Sequence, residues 1–260
     1  MVFCFSGTGN SLFAAKIIAQ KLEDELVSIN EIMRQRSLDP YVARYAFSSE
    51  RPLVFVSPTY CWRLPKFVEQ FISESRFEGN RKAYFFLTCG DGTGAAAYYA
   101  EEFCRRAELE FMGLGSVKMP ENYITMFNAP SYDDARAIIR AAVPSIEYAA
   151  GQIALEKHMK DINGRPGDKN ANKIINPAFY RLFINDKKFY VTNACVGCGL
   201  CEKLCPTANI SIVDGKPQWH GSCIQCQSCI GVCPKNAIEF GRRARGKRRY
   251  YLLPNGEQKK

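Results

Sequence analysis

Eight of the twelve cysteines fall in two copies of C-x-x-C-x-x-C-x-x-x-C-P. Cys195, Cys198, Cys201 and Cys205 precede Pro206, and Cys223, Cys226, Cys229 and Cys233 precede Pro234. Three thiolates at this spacing wrap three corners of an iron–sulfur cubane, while the fourth, followed by a proline that turns the chain away, points elsewhere. The chemistry this predicts is one-electron transfer on two 4Fe-4S clusters. Matching cysteines are offset by 28 residues throughout, from 195 to 223 and from 205 to 233. Cys205-Pro-Thr-Ala-Asn-Ile210 echoes Cys233-Pro-Lys-Asn-Ala-Ile238, so the block is an internal repeat with pseudo-twofold symmetry. A disulfide framework and paired C-x-x-C zinc sites compete by count alone. Neither accounts for the third and fourth cysteines of each run, and zinc usually draws its four ligands from two separated pairs.

The cysteine block fills only the last quarter of a 260-residue chain, which leaves room for a further domain before it. Residues 1–5 run straight into a glycine-rich turn without a basic n-region, so no secretory signal is expected. No apolar run reaches the length of a bilayer span. A cytoplasmic location follows as the expectation, because thiolates stay available to iron in a reducing compartment. The net charge is +9, of which residues 241–260 carry +7: Arg242, Arg243, Arg245, Lys247, Arg248, Arg249, Lys259 and Lys260 against Glu257. Two thiolate-ligated cubanes at about −2 each bring the loaded protein to roughly +5. That weakens a nucleic-acid reading. The tail reads as a solvated basic segment or a docking surface for an acidic redox protein, and Tyr250, Tyr251, Leu252 and Leu253 suggest that it is partly anchored.

The loops that must position a second cofactor lie near the N-terminus. Residues 2–6 read as a short apolar strand and 12–22 as a helix, joined by Ser6, Gly7, Thr8, Gly9, Asn10 and Ser11. Small residues admit a phosphate close to the backbone, and the helix N-terminus supplies N–H donors and a favourable dipole. The loop lacks the Gly-Lys-Ser/Thr ending of a nucleotide triphosphate loop and the third glycine of a dinucleotide fingerprint. Further strands are expected over 25–29, 52–56, 82–87 and 113–118, with helices over 66–72, 95–106 and 133–158, the last kinked or split at Pro144. Such alternation implies a parallel sheet covered on both faces. Two more special loops follow the third and fourth strands: Pro58, Thr59, Tyr60, Cys61 and Trp62, then Thr88, Cys89, Gly90, Asp91 and Gly92. Ligands in these folds bind beyond the carboxyl ends of the strands.

These three loops resemble those of flavodoxin. The resemblance implies a doubly wound five-stranded α/β sheet of order 2-1-3-4-5 and bound FMN. On it, Ser6, Thr8, Asn10 and Ser11 with the intervening N–H groups would hold the phosphate. Tyr60 or Trp62 would stack on the isoalloxazine, with Tyr98 a candidate for its second face, and the backbone of 89–92 would meet the pyrimidine edge. The cysteine block is similar to a bacterial two-cluster ferredoxin, a small α+β domain in which the fourth cysteine ligates the other cluster. That similarity implies Cys195, Cys198, Cys201 and Cys233 on one cluster and Cys223, Cys226, Cys229 and Cys205 on the second. The whole chain thus resembles the flavodoxin–ferredoxin fusion proteins: residues 1–160 flavin-binding, 161–187 a connection, 188–241 the clusters and 242–260 the basic tail. Low-potential electron transfer between FMN and the clusters, in anaerobic metabolism, is the function implied; reduction of a quinone or activated alkene at the flavin is the alternative. Redox proteins are the expected partners, and no nucleic acid and no membrane span are expected. The loop at 119–130 is expected to line either the flavin or the domain contact. Cys4 and Cys104 read as packing residues, and His158 and His220 lack ligand spacing.

Overall fold

The computed structural model describes residues 1–39, 41, 45–164 and 169–259; part of the predicted connection, 165–168, and Lys260 of the tail lie outside the described residues. Five parallel strands form the main sheet: β1 (Val2–Cys4), β2 (Leu26–Ser28), β4 (Leu53–Pro58), β6 (Lys82–Cys89) and β7 (Glu110–Lys118). Their order is β2-β1-β4-β6-β7, which in chain order is the 2-1-3-4-5 of a flavodoxin-like sheet. Alternate side chains serve two cores, as the period of two requires. Val2, Cys4, Val54, Val56, Tyr84 and Phe86 pack under α1 (Asn10–Leu22) and α5 (Tyr132–Ala154). Phe3, Phe5, Leu53, Phe55, Phe85 and Leu87 pack under α2 (Ile29–Leu38), α3 (Lys66–Glu74) and α4 (Ala96–Arg106). Burial on both faces explains why these strands read as unbroken apolar runs.

Three elements depart from the sequence reading. Ile29, expected to end a strand, is the first residue of α2, because Ser28 caps the helix by accepting the Glu31 amide at 3.2 Å. Helix α2 hides a narrow buried stripe, Ile29 and Met33, in a strongly polar sequence. A second small parallel pair, β3 (Ala46–Ser49) with β5 (Arg76–Gly79), flanks the sheet. The long helix α5 continues through Pro144 and ends at Ala154.

The connection is itself structured. Helix α6 (Lys169–Phe183) presents Asn172 and Asn176, four residues apart and both buried, to the loop after β4. The cysteine-rich unit follows the internal repeat: β8 (Phe189–Val191) pairs with β11 (Ile238–Phe240), and β9 (Ile210–Val213) with β10 (Lys216–Trp219), both antiparallel. Two short helices, α7 (Leu200–Lys203) and α8 (Ser228–Val232), each carry the third cysteine of a run. Its core holds Ile210, Ile230, Ile238 and Phe240, joined by Ile124 from the first domain.

The basic tail folds back as a strap. Buried Arg249 pairs with Glu239 at 2.7 Å and donates to the carbonyls of Ala244 and Ile238. Lys247 donates to Ile124 and Phe127, and the Leu252 amide donates to Thr8 at 2.8 Å. Arg242, Arg243 and Arg245 stay exposed. Because removing one member of a buried ion pair strands the other charge, Arg249→Ala is expected to destabilise the protein by about 3–5 kcal/mol, measured by anaerobic urea unfolding; a surface value near zero would refute the anchoring role.

Candidate functional site

Two cavities in the C-terminal unit are walled by cysteines. Cys195, Cys198, Cys201 and Cys233 line one, with Ile212, Pro217 and Ile238 beside them. Cys205, Cys223, Cys226 and Cys229 line the other, with Phe189, Ile210 and Trp219 beside them. In each, the fourth cysteine of one run stands with the first three of the other. All twelve cysteines are free thiols. Among the described residues no three His, Cys, Asp or Glu side chains close on a single ion.

Backbone amides point at the sulfurs in matching places. Asn209 donates to Cys205 Sγ at 3.3 Å and Ala237 to Cys233 Sγ at 3.2 Å, each from four residues downstream. Gln225 donates to Cys223 Sγ at 3.3 Å. These donors favour the anionic sulfur and tune cluster potential. Burial alone does the opposite: it pushes the Cys226 thiol up to about 12 and Cys201 up to about 11. A cationic iron core reverses that preference by taking the thiolate directly. The site therefore fits a cubane in ligand type, shape and donors.

The two halves differ in exposure. Cys198 and Val196 are exposed, whereas Cys205 and Cys229 are buried. They differ in backbone as well: Gly197 and Gly199, at φ 66° and 74°, correspond across the repeat to Gln225 and Gln227, at φ 54° and 64°. A side chain in this left-handed region is uncommon and strained. Here the glutamines are buried, and Gln227 Nε2 donates to Gln225 Oε1 at 2.9 Å.

The loop of residues 6–11 joins β1 to α1, and the first-turn amides of α1 have no partner within the helix. Its hydroxyls and first-turn amides are the donor set a phosphate needs. The side chains are also tied to protein. Thr8 Oγ1 accepts from Asn122 at 2.7 Å, and Ser11 Oγ shares a hydrogen bond with Thr88 Oγ1 at 2.8 Å. Asn10 donates to the Pro120 carbonyl at 2.9 Å and accepts from Tyr250 at 2.6 Å. Ser6 Oγ accepts from the Gly9 amide at 3.2 Å. The two glycines have a second use. A Cβ on Gly7 would lie 1.9 Å from the Cys226 carbonyl oxygen, and one on Gly9 2.0 Å from that of Leu252.

The other two loops stand beside it. Pro58 and Thr88 are paired across β4 and β6, and Thr59 donates to the Thr88 carbonyl at 2.9 Å. Cys61 and Trp62 take positive φ, 47° and 62°, and the carbonyls of Tyr60 and Cys61 accept from Asn176 while Cys61 also accepts from Asn172, all at 3.0 Å. Trp62 lies against Gly94, where a Cβ would meet it at 2.6 Å. An isoalloxazine entering between these loops must part that contact. Gly90 abuts Glu121, Asp91 pairs with Lys118 at 3.7 Å, and Gly92 abuts the Asn163 carbonyl. Tyr98 donates to Glu102 along α4 at 2.9 Å. Tyr60 is held neutral, first by burial and then by the Cys226 thiol, and Tyr123 likewise by burial, with Cys223 nearby. The 119–130 segment thus touches both the loop at 6–11 and the cysteine unit. Asn122 and Tyr123 fall in the 119–130 loop, and Tyr250 and Leu252 in the apolar part of the tail, both of which the sequence marks as contact segments; Asn172 and Asn176 carried no signal in the sequence.

Residues 194–238 match the 4Fe-4S dicluster domain family. Over 48 residues the chain is 46% identical to an uncharacterized protein of Methanocaldococcus jannaschii, 18% of each chain. Over 56 residues it is 34% identical to one component of an ion-translocating oxidoreductase complex of Methanosarcina acetivorans, 21% of each. The chain spans about a fifth of the length of the curated relatives it matches. Among solved structures, an archaeal flavodoxin matches at 15% identity over 58% of this chain and 96% of its own, with a TM-score of 0.31. A Trp repressor binding protein from Bacillus subtilis matches at 15% over 56% and 94%, with a TM-score of 0.32.

Two outcomes are expected. Gly7→Ala should cost about 1–3 kcal/mol through overpacking against Cys226, while Gly199→Ala, with open space around its Cβ, should cost only backbone strain of about 1 kcal/mol; thermal midpoints of the two variants compare them. Burial pushes the thiols of Cys89 and Cys104 up to about 12, and raises Cys4 further. At pH 8 iodoacetamide should therefore leave all three unmodified until the protein unfolds, as peptide mass spectrometry would report.

Proposed function

We propose that this protein carries electrons between FMN at the three N-terminal loops, an inner 4Fe-4S cluster on Cys205, Cys223, Cys226 and Cys229, and an outer one on Cys195, Cys198, Cys201 and Cys233. The observation that carries the reading is the contact between the loop of residues 6–11 and the inner cysteine run, where the Cys226 carbonyl rests on Gly7. Tyr60 and Tyr123 bring two more residues of the first domain beside Cys223 and Cys226. The inner set lies at the domain contact, and the outer set reaches the surface at Val196 and Cys198. A redox protein docking there would meet the outer cluster first.

Bound FMN exchanges electrons in pairs or singly and each cubane exchanges one, so the set couples two-electron to one-electron donors. The chain's own residues bind and shield. Ser6, Thr8 and Ser11 with the amides opening α1 would hold the phosphate, and the backbone of 89–92 would meet the ring edge. The apolar wall of Phe189, Ile210 and Trp219 shields the inner sulfurs, and the amides of Asn209, Gln225 and Ala237 set the charge on theirs. Among the described residues no helix is long and apolar enough to cross a membrane. Thiolate-ligated iron suits a reducing, oxygen-poor cytoplasm, and exposed Arg242, Arg243 and Arg245 suit an acidic redox partner.

Anaerobic purification with iron, sulfide and flavin quantification tests the cofactors, and stopped-flow reduction tests the relay. Flavin and clusters should come to equilibrium together; clusters that reduce without ever reducing the flavin would refute the relay. Cys233→Ser and Cys205→Ser should each lower iron to half or less, because each fourth cysteine braces the cavity of the other run. An unchanged iron content would refute the ligand sets.

A further inference from the structure

We propose that an open cleft between α2, α3, α6 and the inner cysteine run binds a small planar aromatic anion and presents it to the inner cluster. The proposal rests on the cluster reading above but not on the flavin. The cleft encloses about 1130 Å³ out to solvent. Thr207, Ser222 and Ile224 form its floor, and Thr207 and Ile224 are at the same time walls of the cavity of Cys205, Cys223, Cys226 and Cys229. Thr207 Oγ1 is 3.6 Å from Cys205 Sγ, so a single layer of side chains separates a bound molecule from the ligating sulfur.

The facing walls specify the ligand. Tyr60, Phe67 and Tyr180 offer aromatic surface to a flat ring. Lys66 places its ammonium 4.5 Å from the Tyr180 ring centre, at the first turn of α3, and its backbone amide donates to the Tyr180 hydroxyl at 2.8 Å. The second cation, Arg36, is partly neutralised by Glu74 at 3.2 Å, which makes Lys66 the principal charge contact. Of the residues expected to hold the flavin, only Tyr60 lines this cleft. An aromatic acid that is also a quinone meets all these conditions. With both clusters bound and reduced, two one-electron transfers and two protons from water would convert the quinone to the hydroquinone.

The test uses the full chain, anaerobically, with anthraquinone-2-sulfonate as the probe. Calorimetric titration of the oxidised protein should find one saturable site. Lys66→Gln should weaken it about tenfold, the loss of one charge-assisted contact. Gln70→Trp, on the exposed face of α3 at the mouth of the cleft, should weaken it by obstruction. In stopped flow, oxidation of reduced clusters should saturate with probe concentration, with its half-saturation shifted by Lys66→Gln to the same extent. Absence of saturable binding, equal affinity in the wild type and both variants, or displacement of the probe by FMN would overturn the proposal. Calorimetry of the loaded, oxidised protein reads the cleft and iron quantification of the same sample reads the clusters, so failure of the cluster reading and failure of the cleft are seen separately.

Discussion

Two carbonyl oxygens resting where no β-carbon can stand hold this molecule together. Cys226 approaches Gly7 and Leu252 approaches Gly9 from the C-terminal half, and the loop they grip is the one that opens α1. Contacts of this kind are weak singly, but they are reached only by backbones with nothing between them. Around them gather the Leu252 amide on Thr8, Tyr250 on Asn10 and Asn122 on Thr8. The same short glycine-rich segment therefore answers to an anion from inside and to a second domain from outside.

The parallel sheet makes that arrangement possible. Because every strand runs the same way, the loops after β1, β4 and β6 emerge on one edge, and the cysteine unit needs only one docking surface to reach all three. Helix α6 and the strap after β11 close the sides, the first through Asn172 and Asn176 and the second through Arg249 and Leu252. Neither contributes to the main sheet, yet both fix where its loops point.

Much of this was legible in the residues. Ligand spacing is a local property, and so is the alternation of apolar strand and amphipathic helix, so the cysteine runs and the five sheet strands could be read directly. What escaped depends on contacts made far along the chain. Helix α2 has only two buried positions, and its polar surface masked the period. Helix α6 starts in a polar stretch and carries Pro177; its orientation is set by two asparagines whose partners, the carbonyls of Tyr60 and Cys61, lie over a hundred residues away. The apolar run Tyr250 to Leu253 marks the tail as partly anchored, but charge alone does not reveal its acceptors: Arg249 finds Glu239, and Lys247 finds two carbonyls. The glycines at 7 and 9 were read as room for a phosphate, and nothing in the sequence says that a neighbouring domain uses the same room.

The substitution of Gln225 and Gln227 for the glycines of the first repeat separates two halves that began alike. One half carries backbone strain and buried amides; the other has glycine turns and faces outward at Val196 and Cys198. A duplicated unit used this way can diverge unevenly. Its inward copy is bound by what it already touches, while its outward copy can change shape and charge to suit a new neighbour without disturbing the seat of the first.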